Sequence, residues 1–279
     1  MPVVATNTAA NSALRFLNNN SAAASGSVGK LASGSRIVKA SDDAAGLAIG
    51  TRLMADVTAL TQAGINASQG ASVVQVADGG LGRIGDVLQR MKALAAQSLS
   101  GVPTNTERGF IDAEFQELVA EVTDIATTTR FNGLSLLAGA AATASADYFV
   151  GTDVSDTITV NLHGLATGQS TYHATALGVN VTVSTTVAAT AAMAAVDAAI
   201  DTVSEARATA GALISRFEFR GQQIATSLEN IDAAKSAIMD VDLAAEQSKL
   251  VSNQVLVQAA VSAVSQANQI PQSLLRVLQ

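Results

Sequence analysis

The chain has 279 residues, 48% of them hydrophobic but only 3% aromatic, with no Trp and no Cys, which excludes a disulfide framework and a thiolate metal site. Charged residues make up 14%, against about 25% in a typical soluble domain, so the composition suits a chain that hides surface against other copies. The net charge of −7 argues against a nucleic-acid partner, whose phosphates are neutralised by clustered Lys and Arg.

Met1-Pro2-Val3-Val4 lacks a basic start and runs into Asn and Ser, so no secretory signal peptide is read. Val3, Asn7, Ala10, Leu14, Leu17, Ser21, Ala24, Val28 and Leu31 alternate spacings of four and three, the seam of a coiled coil, and Ser33-Gly34-Ser35 interrupts it. A second helix is expected from Ser41-Asp42-Asp43, with Ser41 as cap and two carboxylates near the positive end of the dipole. Its stripe runs through Leu53, Val57, Leu60, Ala67, Ala71 and Val74, then Ala77, Leu81, Ile84, Leu88 and Met91. Unbroken to about Gln97, it would measure on the order of 80 Å.

After Pro103, Thr104 and Glu107 have capping-box spacing for a third helix, with Ile111, Phe115, Leu118, Val122 and Ile125 as its apolar face. Asn132-Gly133 is a turn signal. Tyr148 to Val150, Thr157 to Leu162 and Val179 to Thr185 are rich in β-branched residues and predict a small hairpin or sheet. From Val196 the heptad returns through Val203, Ala210, Phe217, Ile224 and Ile238. A last stripe, Leu250, Val257, Val261, Val264, Leu275 and Leu278, is expected to kink or end at Pro271. The uncharged stretch from Leu250 to Ile270 is the most membrane-like, but Gln254, Gln258, Gln266 and Asn268 scatter amides around it, so no membrane span is expected.

The stretches Leu31-Ala32-Ser33-Gly34-Ser35-Arg36-Ile37 and Ser41-Asp42-Asp43-Ala44-Ala45-Gly46-Leu47-Ala48-Ile49 resemble the amino-terminal motif of bacterial flagellins. Leu88 to Ser98 is similar to their next helical patch, Thr129-Arg130-Phe131-Asn132-Gly133 to the turn closing their amino-terminal half, and Gln254 to Leu278 to their carboxy-terminal segment. The resemblance implies a mainly α fold, a long antiparallel helical bundle and coiled coil with a small β-hairpin region in the middle of the chain. Residues 1–40 and 240–279 would form an inner terminal coiled coil, 41–130 and 192–239 a helical bundle, and 131–191 a short outward-facing variable segment.

The function so implied is self-assembly into the flagellar filament for swimming motility. The subunit would be exported without a cleaved signal peptide and would lie outside the cell. Its implied partners are further copies of itself, an export chaperone, and hook-junction and cap proteins. The rival readings are a hook–filament junction protein and a soluble coiled-coil scaffold. The expected assembly seam is Leu14, Leu17, Val28, Leu31, Leu250, Val257, Val261, Val264, Leu275 and Leu278. Gln89, Arg90, Leu94 and Gln97, with Glu114, match the flagellin patch bound by a Toll-like innate receptor of the host, although Ala93 stands where relatives often carry an acid. Those residues also suit contacts between stacked subunits.

No nucleophile, acid–base pair or phosphate loop is arranged as a catalytic site, and no cofactor is implied. Asp42 and Asp43 lack a third carboxylate and read as helix caps rather than a cation site. His163 and His173 read as ordinary surface histidines, with no acidic or Cys cluster at ligand spacing. The glycines Gly64, Gly70, Gly79, Gly80, Gly82 and Gly85 sit inside a predicted helix, where each costs up to about 1 kcal/mol against Ala, and read as sites of close helix–helix contact in preference to a flexible joint where protofilaments change state.

Overall fold

The structure, a computed structural model, describes residues 7–138, 145–161 and 171–277. Among these residues five helices dominate: α1 (Thr8–Ser33), α2 (Ala44–Leu99), α3 (Asn105–Thr128), α4 (Thr186–Met239) and α5 (Leu243–Val277). Between α3 and α4 lie two antiparallel pairs, β1 (Arg130–Phe131) with β2 (Leu134–Ser135) and β3 (Ser145–Phe149) with β4 (Thr157–Asn161). The chain divides into two compact units, residues 1–57 with 230–279 and residues 58–229.

In the unit 58–229, α2 turns the predicted stripe inward: Leu60, Ala67, Val74, Ala77, Leu81, Ile84, Leu88 and Met91 are buried. Opposite them, Val196, Val203, Ala210, Phe217 and Ile224 bury the antiparallel α4. Among the described helices α4, rather than residues 250–270, holds the most apolar 18-residue window, with mean hydropathy 1.4, and its Ala192, Val196, Ala199 and Val203 pack in the core. The close approach is real at two glycines. A Cβ on Gly70 would stand 2.5 Å from the Phe217 ring, and one on Gly80 would stand 2.6 Å from Thr129 Oγ1. Gly79 faces open space, and Gly64, Gly82 and Gly85 have room for a methyl, so close contact does not explain those four.

α3 starts as its capping box requires: Thr104 N donates to Glu107 Oε2 at 2.6 Å, and Glu107 N to Thr104 Oγ1 at 3.4 Å. That backbone donor holds the Glu107 carboxyl below its ordinary pKa. Arg108 then closes the end of α2, donating Nε to Ser98 O at 2.8 Å and Nη2 to Ser100 O at 3.0 Å. A buried guanidinium is tolerated there because the last carbonyls of a helix carry partial negative charge.

Several expectations need correction. α2 begins at Ala44, and its cap is Asp43, whose Oδ1 accepts from Gly46 N at 2.8 Å, not Ser41. Asp42 instead accepts from Val38 N and Lys39 N, which lowers its pKa and folds the preceding loop. Only the first two predicted β segments pair; Val179 to Thr185 forms no strand. Its backbone is tied to helical side chains, with Val183 N donating to Asp112 Oδ1 at 2.7 Å and Val181 O accepting from Gln116 at 2.8 Å. Val179 and Val183 thereby enter the core. Asn132-Gly133 does turn β1 into β2, both residues at positive φ (50° and 80°) as a two-residue hairpin requires.

His173 is not a surface residue of the ordinary kind, because its Nε2 is buried without a hydrogen-bond partner in a segment whose Tyr172 and Ala174 are core. His163 lies outside the described residues. Among the described residues no three His, Asp or Glu cluster as metal ligands. Finally, α5 does not end at Pro271 but continues to Val277. Proline removes one donor from the helix, and the carbonyl so freed, Ala267 O, takes another donor from the Asn7 side chain.

Candidate assembly surface on the terminal helices

In the unit formed by the chain ends, α1 and α5 run antiparallel. Asn7 meets Ala267 near one end, and Ser27 meets Glu246 near the other. The seam on α5 is regular: Glu246, Leu250, Asn253, Val257, Ala260, Val264 and Ala267 are its covered positions, spaced four and three. On α1 the covered positions that repeat along the helix are Asn7, Ala10, Ala13, Leu17, Asn20, Ala24, Ser27 and Leu31, with Gly29 and Lys30 also half-buried near its end.

This seam differs from the expected one by a shift at every second contact. Leu17, Leu31, Leu250, Val257 and Val264 lie on it. Leu14, Val28 and Val261 do not: they are 48%, 50% and 52% exposed. Ala13, Ser27 and Ala260 take the inner places instead. Small residues there let two backbones approach closely, which turns the larger neighbours outward. Leu275 and Leu278 lie beyond the residues whose side chains are described.

The outward side is therefore apolar too. Leu14, Phe16 and Val28 on α1 stand exposed, as do Val251, Val255, Leu256 and Val261 on α5. Before Lys30 the only charged side chain is Arg15, and none lies between Lys249 and Arg276. A groove of about 460 Å³ opens between the helices, with Val28, Leu250 and Val257 in it and Ser21, Gln254 and Gln258 among its polar lining. Such a surface costs free energy while it faces water and is relieved by burial.

Glu246 is the one carboxylate on the seam. The Ser27 hydroxyl donates to it and Lys249 stands 3.5 Å away, which together hold its pKa below the ordinary value. The connector after α1 is clipped to the connector after α4. Arg36 N donates to Met239 O at 2.6 Å, Val241 N to Gly34 O at 3.1 Å, and Ser35 pairs with Asp240 as a single β-bridge. Gly34, at φ 69°, ends α1 in the left-handed turn that makes this possible. Periodicity carries no signal for that clip.

The helical regions also match known proteins in order. Residues 4–142 match the bacterial flagellin N-terminal helical region, and residues 193–278 the bacterial flagellin C-terminal helical region. The chain belongs to the bacterial flagellin family. It is 34% identical to a flagellar filament 33 kDa core protein of Treponema phagedenis, covering 95% of this chain and 96% of that one. It is equally 34% identical to a flagellin of Halalkalibacterium halodurans, covering 89% of each. Its structure is similar to the crystal structure of Bacillus cereus flagellin, with TM-score 0.50 and 26% identity, covering 61% of this chain and 94% of that one. The family resemblance placed Ser33 to Ile37 in a motif, and in this flagellin-family chain much of that stretch forms the clip.

The second expected patch lies in the unit 58–229. Arg90 donates Nε to Glu114 Oε1 at 3.0 Å, joining α2 to α3 at the surface, and Gln89 and Gln97 are exposed nearby on α2. Leu94 does not join them, being 1% exposed and packed in the bundle core. A residue four places from an exposed arginine would be expected on the same helix face. Here the covered arc is wide, because α3 and α4 both pack on α2 and Met91, Leu94 and Ala95 all turn inward.

Proposed function

We infer that the exposed apolar faces of α1 and α5 are where this chain contacts further copies of itself. As a member of its family it is a structural subunit of the flagellar filament, which is extracellular. The observation that carries the inference is the set of exposed apolar side chains, Leu14, Phe16, Val28, Val251, Val255 and Val261, on helices nearly free of charge. A two-helix pair buries one stripe and leaves the other to neighbours. In this reading residues 1–40 and 240–279 form the inner coil of the filament, 41–130 and 192–239 the surrounding bundle, and 131–191 the outward-facing segment.

The low charge of both ends also suits a chain exported unfolded, without signal cleavage, with an export chaperone, hook-junction and cap proteins as its partners. The Arg90–Glu114 pair with Gln89 and Gln97 is the surface a Toll-like receptor would meet on a free subunit, and Leu94 would support it from below.

Val261→Asp tests the assembly reading. Val261 is half exposed in the single chain, so circular dichroism should stay close to that of the parent. A charge buried without a partner between copies costs several kcal/mol, so sedimentation under assembly conditions should find no filaments. Filaments pelleting as readily as the parent would show that this face is not an assembly surface.

A further inference from the structure

Pro271 lies inside α5, four residues after Ala267. Proline has no N–H, so the Ala267 carbonyl has no helical donor. It accepts instead from Asn7 Nδ2 at 2.8 Å. The oxygen of the same carboxamide accepts from Ala10 N at 3.0 Å and so caps α1. The two bonds define the amide's orientation, since its oxygen must face the N–H and its nitrogen the carbonyl. Ala267 is buried and Asn7 half-buried, so a lost bond is poorly replaced by water.

We propose that Asn7 pins the register of the terminal helix pair at the end away from the Gly34–Val241 clip. One side chain starts α1 and, through the same amide, satisfies the carbonyl that Pro271 leaves open in α5. The two ends of the chain then become helical together and in one axial alignment. The apolar repeat of the seam does not define that alignment, which the Gly34–Val241 clip and the Ser27–Glu246 contact hold only at the other end of the pair. Ala10, Leu17, Ala24 and Leu31 recur every seven residues, and so do Leu250, Val257 and Val264. Sliding one helix by a heptad, about 10 Å, would bring similar apolar residues together again, although it would break the clip and the Ser27–Glu246 contact at the far end. The proline does not recur in α5. A slipped pair would leave the Ala267 carbonyl without a donor and the Asn7 amide without its acceptor. Single polar residues on coiled-coil seams set register in this way at some cost in stability.

The proposal rests on the reading that this pair is an assembly element, and a double-mutant cycle separates the two. Asn7→Ser keeps a capping oxygen but removes the donor that reaches Ala267. Pro271→Ala returns an N–H to α5 for the same carbonyl. The parent, both single variants and the double variant are polymerised as full-length chains, and the monomer left in equilibrium with filaments is measured by sedimentation. Asn7→Ser should raise that concentration about tenfold in the parent sequence. In the Pro271→Ala background the rise should stay below about twofold. Equal rises in both backgrounds, or none in the parent, would overturn the pin. Should Asn7→Ser alone yield no filaments, their return with Pro271→Ala supports it and their continued absence overturns it. A parent that formed no filaments would defeat the assembly reading by itself. The cycle would then be read from the helix content of the monomer, where the same loss of additivity decides the pin.

Discussion

The unit 58–229 and the α1–α5 pair use the same pattern, apolar residues repeating every three and four positions, with opposite results. The largest fully buried side chains, among them Tyr172, Phe115, Phe217, Leu81, Ile84, Leu88 and Met91, all lie between residues 58 and 229. The terminal pair buries Ser27, Glu246, Leu250, Ala260 and Ala267, and keeps Leu14, Phe16 and Val261 outside. The difference is the number of elements that close on one another. In the bundle, α2 is covered by α3, α4 and the folded-back segment that carries Tyr172 and Val183. In the pair, each helix packs chiefly on the other among the described residues. Two helices can bury a narrow stripe, and the stripe here is mostly small residues. A seven-residue repeat is therefore a demand for partners; whether the chain itself supplies them decides between a core and an assembly surface.

Amide exchange offers the largest test of that contrast. In the free subunit, amides of α1 and α5 should exchange at least about a thousandfold faster than those of buried α2 and α4, since the pair has little to oppose local opening. In filaments that gap should close. Comparable protection of both regions in dilute monomer would break the comparison and make the terminal pair a stable domain.

Phe217→Ala should come next, at about 3 to 5 kcal/mol of unfolding free energy, because the ring fills the space over Gly70 and meets Tyr148 edge-on at 5.6 Å. Denaturant unfolding followed at helical wavelengths would report it. A midpoint unchanged within error would mean that the bundle core does not depend on its largest α4 side chain.

The smallest effect is expected from Glu246→Gln. The folded carboxylate has a lowered pKa, so its contribution is complete above the ordinary glutamate value and is lost as pH falls through the folded one. Filaments of the parent should loosen below about pH 4.3, and those of Glu246→Gln should respond less steeply there. Identical acid profiles would remove Glu246 from the seam's electrostatics.

Much of the fold was legible because it rests on local chemistry. The Thr104–Glu107 box, the Asn132-Gly133 turn and the α2 stripe each need only a few neighbouring residues to declare themselves. Less was legible of the assembly surface and the receptor-like patch. Leu94 and Arg90 looked alike as positions on one helix, and the packing of α3 and α4 separated them. His173 gave no signal, since it lies in a segment of turns where neither the two-residue nor the helical period applies. The clip from Gly34 to Val241 and the bond from Asn7 to Ala267 gave no signal, since each joins residues more than 200 positions apart.

By itself, then, the sequence determined the helices, the Thr104–Glu107 cap, the paired middle strands and the lack of charge that calls for self-association, because spacing and composition act along the chain. Only the tertiary structure decided which of two adjacent residues faces the partner: Ala13 or Leu14, Ser27 or Val28, Ala260 or Val261. Alternating steps of three and four admit two seams one residue apart on the same helix. The choice between them depends on how closely the second backbone approaches, and small side chains on both helices let it come near enough to turn the larger ones outward.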